Sequence, residues 1–171
     1  MIETLIDREK IAQRTAELGK ELTRYYSEKE FIMVIIANGG IFFGVDLARS
    51  IDLDFPVDII ATASYHNDAQ SNELIFRCAP KLDLKGKNIL LVDEVLDSGV
   101  TFAKTVKKLY KYGAAEVKTA VLVTKERSRC DEAVQSADWT GFVLPDVYLV
   151  GCGLDSHELY RSLPYLGVMS D

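Results

Sequence analysis

The chain has 171 residues, 48% of them apolar, and a formal charge of −6 from 20 basic and 26 acidic side chains. That length suits one domain burying roughly two-thirds of its unfolded surface. Eleven Gly and four Pro are too few for a collagen-like, linker-like or disordered chain.

The net negative charge argues against a surface built to wrap nucleic acid, while leaving room for a small basic pocket. Apolar runs such as Ile32–Ala37 are too short to cross a bilayer. The opening Met1-Ile2-Glu3-Thr4-Leu5-Ile6-Asp7 lacks the basic-then-apolar order of a signal peptide. Cys78, Cys130 and Cys152 are odd in number and widely spaced, which suits a reducing compartment better than a disulfide frame or a zinc site. These features together predict a cytoplasmic protein.

Taken in order, Asp7 is a plausible N-cap, and Ile11, Leu18, Leu22 and Tyr25 follow at near-helical spacing, predicting a helix over 8–27. The β-branched run Phe31–Ile36 predicts a buried parallel strand, broken by Asn38-Gly39-Gly40 before a helix over Ile41–Ser50. A second strand is expected at Val57–Ala61, then a long polar mobile loop over Ser64–Glu73. Asn88–Val92 predicts a third strand, Val100–Tyr112 a third helix ending at Gly113, and Val117–Val123 a fourth strand. Short strands are expected at Trp139–Phe142 and Val147–Val150. Strands alternating with helices of about 12 residues imply one α/β domain with a parallel sheet and right-handed crossovers.

The chemistry concentrates in Leu90-Leu91-Val92-Asp93-Glu94-Val95-Leu96-Asp97-Ser98-Gly99-Val100-Thr101. A hydrophobic strand ends in two carboxylates, and a third stands four residues after the first, just before a helix. In parallel α/β sheets, ligands gather beyond the carboxyl ends of the strands. Backbone N–H groups at the helix start, with the Ser98 and Thr101 hydroxyls, can hold a phosphate, and Gly99 permits close approach. The carboxylates would repel that phosphate unless they bind something else, such as sugar hydroxyls or a hard cation like Mg²⁺. Neither GxxxxGK[ST] nor GxGxxG is present in the segment.

This stretch resembles the 5-phosphoribosyl diphosphate (PRPP) signature of type I phosphoribosyltransferases. Val150-Gly151-Cys152-Gly153-Leu154-Asp155 through Tyr160-Arg161 resembles the hypoxanthine-guanine branch. The likeness spans about residues 5–168. It implies a type I phosphoribosyltransferase-like α/β fold in a single domain over 1–171: a core of about 28–135 and a small hood from about 1–27 and 136–171.

By position, the resemblance gives Asp93 and Glu94 the ribose hydroxyls, directly or through Mg²⁺, and makes Asp97 the general base or acid near purine N7. Asp97, Ser98, Gly99, Val100 and Thr101 would wrap the 5′-phosphate, and Gly39 would let the pyrophosphate approach the backbone. Lys125 would read the 6-oxo group, Tyr148 would stack on the base and the Leu149 backbone would face its edge. Asp155 would be a second Mg²⁺ ligand beside the base, with Arg129 and Arg161 near the pyrophosphate. Ser64-Tyr65 would lie on the loop that closes over the reaction. A lysine suits a 6-oxo group and not a 6-amino group, which points to hypoxanthine or guanine, with xanthine not separated from them. A homodimer or homotetramer is implied, with PRPP and a purine base as ligands, and with neither nucleic acid nor membrane as partner.

The sequence departs from the family pattern in three places. Asn38 stands where a lysine usually precedes the Gly-Gly turn, Ser71-Asn72-Glu73 replaces a Ser-(Ser/Thr)-Gly, and Asp93-Glu94 reverses a Glu-Asp. A PRPP- or nucleotide-sensing regulator on the same fold is the alternative function. A receiver- or flavodoxin-like module would explain the strand-end acids but not Asp-Ser-Gly-Val-Thr. His66 and His157 are expected at the surface, and Trp139 packed beneath the sheet.

Overall fold

In the computed structural model, residues 1–64 and 74–170 are described. The chain folds as β1 (Ile2–Ile6), α1 (Arg8–Tyr26), β2 (Phe31–Ala37), α2 (Gly40–Ser50), β3 (Val57–Ser64) and β4 (Leu74–Cys78). It continues with β5 (Asn88–Leu96), α3 (Val100–Lys111), β6 (Glu116–Glu126), β7 (Trp139–Pro145), β8 (Leu149–Val150) and β9 (Leu166–Met169). The expected N-cap of α1 forms, with Asp7 Oδ1 accepting from the Lys10 amide at 2.9 Å.

Six strands form the main sheet in the order β4-β3-β2-β5-β6-β7. Every neighbouring pair is parallel except β3–β4, which makes β4 an antiparallel edge where the sequence predicts only parallel strands. All seven residues of β2 are buried, as a central strand covered on both faces requires. Its side chains alternate between two cores. Phe31, Met33 and Ile35 meet α1 and α2 through Leu18, Leu22, Phe43 and Leu47, whereas Ile32, Val34 and Ile36 share a core with Phe102 and Leu109 of α3. Trp139 packs edge-on against Tyr25, ring centres 5.1 Å apart, as expected.

A second, antiparallel sheet of β1, β9 and β8 joins the chain ends, pairing Ile2 with Met169. Neither β1, β4 nor β9 is predicted from the sequence; each is short, and its partner is far away or antiparallel. Two strands also run longer than expected. Pairing with β6 as far as Leu96–Thr124 carries β5 to Leu96, so Asp93 and Glu94 lie within the strand. Pairing with β7 carries β6 to Glu126, which fixes Lys125 on a strand. No described helix is long and apolar enough to cross a membrane.

Candidate active site

The carboxyl ends of β2 and β5 open into a cleft of about 440 Å³. Of the residues singled out in the sequence, Gly39, Asp93, Glu94, Asp97, Ser98, Gly99, Thr101, Asp155 and Arg161 line it. Val100, Lys125, Tyr148 and Leu149 do not. Ser64 ends β3, but its side chain, Tyr65, His66 and the 71–73 segment lie outside the described residues.

The floor is acidic. Asp93 is only 8% exposed, and its Oδ1 accepts from the Glu94 amide at 2.9 Å. Burial first, and the neighbouring Glu94 carboxylate second, push the Asp93 carboxyl well above the usual carboxylate range. Glu94 Oε2 is buried without a hydrogen-bond partner among the described residues. A side chain on Gly39 would put its Cβ 2.2 Å from Glu94 Oε1, so the β2–α2 turn lies directly against this carboxylate. Gly153 closes the same corner: its φ is +104°, and a Cβ there would sit 2.2 Å from the Gly39 carbonyl oxygen. The Ala37–Asn38 peptide in the adjoining turn is cis.

Two buried oxygen donors, one of them unsatisfied, fit a hard divalent cation that completes its shell with water and substrate oxygens. Among the described residues, no three acidic, His or Cys side chains are grouped to hold a metal by themselves. Asp155 in particular is engaged elsewhere. Its Oδ1 pairs with Arg161 Nη2 at 2.9 Å, and its Oδ2 accepts from the Glu158 amide at 2.8 Å. Arg161 also donates to Gly153 O at 2.8 Å and pairs with Glu158 at 3.0 Å.

Beyond the floor, the β5–α3 turn presents Ser98, Gly99 and Thr101, with Gly99 at φ +75° preceding the helix. The first amides of α3 and these hydroxyls are donors of the kind an anion requires, with the Val100 amide donating to Ser98 Oγ at 3.4 Å. On the β6 side, Asp97 enters a charge cluster. Lys125 Nζ lies 3.5 Å from Asp97 Oδ2 and 3.5 Å from Asp146 Oδ1, and Arg127 Nη1 lies 2.5 Å from Asp97 Oδ1 and 3.6 Å from Asp146 Oδ2. The Asp97 contact, followed by Asp146, raises the Arg127 pKa further. Tyr148 is 53% exposed, and its hydroxyl donates to Asp155 O at 3.4 Å; Leu149 is buried in β8.

The sequence reading needs one correction and several additions. Arg129 does not line the cleft: its guanidinium donates to Asp97 O at 2.8 Å, Leu96 O at 3.0 Å and Lys125 O at 2.7 Å, tying β5 to β6. Asp146 and Arg127 flank Asp97 without a local motif to announce them. Asn38, Thr62 and Arg77 line the cleft from the β2–α2 turn, β3 and β4, and no sequence signal places β4 beside β3.

Comparison with known proteins bears on this geometry. The phosphoribosyl transferase domain matches residues 1–157. Hypoxanthine-guanine phosphoribosyltransferase of Streptococcus pneumoniae is 36% identical over 98% of this chain and 92% of that protein. Its counterpart in Bacillus subtilis is 35% identical over 96% and 91%. A crystal structure of hypoxanthine phosphoribosyltransferase from Staphylococcus aureus superposes with a TM-score of 0.91 at 31% identity, covering 98% of this chain and 91% of that one. The acids of β5, the glycine turn before α3 and these likenesses agree, and the chain belongs to the phosphoribosyl transferase family, in its hypoxanthine-guanine branch.

Proposed function

We propose that the chain transfers the 5-phosphoribosyl group of PRPP to a 6-oxopurine, hypoxanthine, guanine or xanthine, releasing pyrophosphate and forming the nucleoside monophosphate for purine salvage. The observation that carries the base preference is the 3.5 Å pairing of Lys125 Nζ with Asp97 Oδ2 at the edge of the acidic cleft. A donor beside an acceptor matches the 6-oxo group and N7–H, which are adjacent on the purine edge.

In this reading Asp97 Oδ2 takes the N7 proton while Lys125 donates to the 6-oxo oxygen. Tyr148, exposed on one side, stacks on the base, and the Leu149 backbone faces its 2-position. Ser98, Gly99, Val100 and Thr101 hold the 5′-phosphate at the start of α3. Asp93 and Glu94 hold the ribose hydroxyls and, with substrate oxygens, would hold Mg²⁺. Asp155 reaches a metal only by exchanging its Arg161 partner. Bound there, Mg²⁺ would supply positive charge that offsets the charge of the pyrophosphate leaving group. Arg161 supports the same end of the substrate, and Ser64-Tyr65 would close over the ribose to exclude water.

The exposed side chains Ile41, Phe42 and Val45 of α2, beside the Asn38–Gly40 turn, support a homo-oligomer. The separate β1-β9-β8 sheet supports a hood built from the chain ends, expected over 1–27 and 136–171 beside a core over 28–135, although β7 pairs with β6 and puts Trp139–Pro145 in the main sheet; the three free thiols suit the cytoplasm.

The test is pyrophosphate release from Mg²⁺ and PRPP with hypoxanthine, guanine, xanthine or adenine, beside an Asp97→Asn variant. Release with the 6-oxopurines, little with adenine, and a drop of about 10²–10⁴ in the variant are expected. Absence of base-dependent release would overturn the reading.

A further inference from the structure

We infer that Arg77 is a phosphate-binding residue of the cleft, and that it takes the pyrophosphate of PRPP. The inference rests on the transferase reading for the identity of its ligand. The residue itself is marked by three independent features of the structure.

The first is a bulge. In the β3–β4 ladder Ala61 pairs with Cys78 and Thr62 pairs with Phe76, so Arg77 is the extra residue on β4. A bulge re-aims the side chain it carries, and Arg77 together with Thr62 lines the cleft.

The second is charge. Among the described residues lining the cleft, Asp93, Glu94, Asp97, Asp155 and Glu158 are acidic, and the only cations are Arg77 and Arg161. Arg161 is held by Asp155 and Glu158 at 2.9 and 3.0 Å. Arg77 has no ion pair or hydrogen bond among the described residues. A cleft this acidic repels a polyphosphate unless cations offset it, and Arg77 is the arginine there that no carboxylate among the described residues holds.

The third is position. The strand order β4-β3-β2-β5-β6 puts Arg77 at one end of the cleft and Lys125 just beyond the other, beside Asp97, with the acids of β5 between them. In a displacement at a sugar carbon, the incoming base and the leaving group lie on opposite sides of that carbon. If the base sits by Lys125, the pyrophosphate departs toward β2 and β4. The 5′-phosphate already has its cradle at Ser98–Thr101, on the β5–α3 turn. Arg77 therefore faces the pyrophosphate.

Binding of magnesium pyrophosphate and, separately, of IMP to the full chain tests this by calorimetry, comparing the wild type with Arg77→Ala, Arg77→Gln and Arg77→Lys. Loss of one charge-assisted contact should weaken pyrophosphate by about ten- to a hundredfold in the Ala and Gln variants. The Lys variant should lose less, and IMP, which carries only the 5′-phosphate, should bind as before. The KM for PRPP should rise in parallel while the KM for hypoxanthine stays unchanged. Unchanged pyrophosphate binding overturns the inference. So does a loss confined to IMP, which would assign Arg77 to the 5′-phosphate, or an equal loss of both ligands, which would mark a structural role. A wild type that binds pyrophosphate through Arg77 without turnover would sink the transferase reading and leave the inference standing. Turnover with variants that bind pyrophosphate normally would sink the inference alone.

Discussion

Replacing Asp93 by Asn should stabilise the ligand-free protein while disabling it. Asp93 is 8% exposed beside Glu94, and Glu94 Oε2 is buried without a donor among the described residues. Asn keeps the Oδ1 that accepts from the Glu94 amide and adds an N–H₂ able to reach the Glu94 carboxylate. Satisfying one buried acceptor is worth about 1–3 kcal/mol. At roughly 2–4 °C per kcal/mol for a chain of this size, Tm should rise by about 2–12 °C at neutral pH. The sign of the pH dependence follows from the raised Asp93 pKa. Below its unfolded pKa Asp93 is protonated in both states and burial carries no charge penalty. As pH rises through the raised folded value, the wild type must ionise in a buried site and loses stability. The Tm gap should therefore close on acidification. Mg²⁺ with PRPP should raise the wild-type Tm and leave the variant's nearly unmoved, and activity should fall at least about tenfold. Differential scanning fluorimetry across pH, with and without ligands, reads all of this. A variant Tm equal to or below wild type at neutral pH, or a gap independent of pH, would refute the reasoning.

Other perturbations reach different parts of the site. Gly153→Ala, at φ +104° and with its Cβ against the Gly39 carbonyl, should lower Tm through about 1–3 kcal/mol of strain and raise the KM for PRPP as the acidic corner opens. Lys125→Met should raise the KM for hypoxanthine about ten- to a hundredfold without changing that for PRPP, as steady-state kinetics would read. Burial, with a smaller effect of Asp46, pushes the Cys152 thiol up to about 11, so at pH 8 it is neutral. Timed alkylation with mass spectrometry should label exposed Cys78 and Cys130 first and Cys152 roughly tenfold or more slowly.

Much of the site was legible because its residues are contiguous. The Asp93–Thr101 run places two acids of β5, a third in the turn that follows, a glycine and a helix start within nine residues, and local spacing brings them to one cleft. The apolar runs at Phe31–Ile36 and Asn88–Val92 likewise marked buried strands, since a strand covered on both faces needs apolar side chains at every position. Lys125, Tyr148 and Asp155 were assigned through family likeness, and their surroundings were hidden. The charge cluster joins Asp97 on the β5 side to Asp146 after β7, and only the parallel registers of β5, β6 and β7 bring those residues level.

Arg129 shows the limit of residue type. An arginine near a phosphate site is chemically suited to bind it, yet this one ties together the carbonyls of two strands. Arg77 shows the converse, an arginine on a short edge strand that a bulge turns into the cleft. The sequence alone determined which segments must be buried and which carry phosphate and acid chemistry, because periodicity and turn residues act over a few neighbours. Tertiary structure decided which distant charges meet, because strand order and register are set by the packing of the whole sheet, and one bulged residue is enough to redirect a side chain.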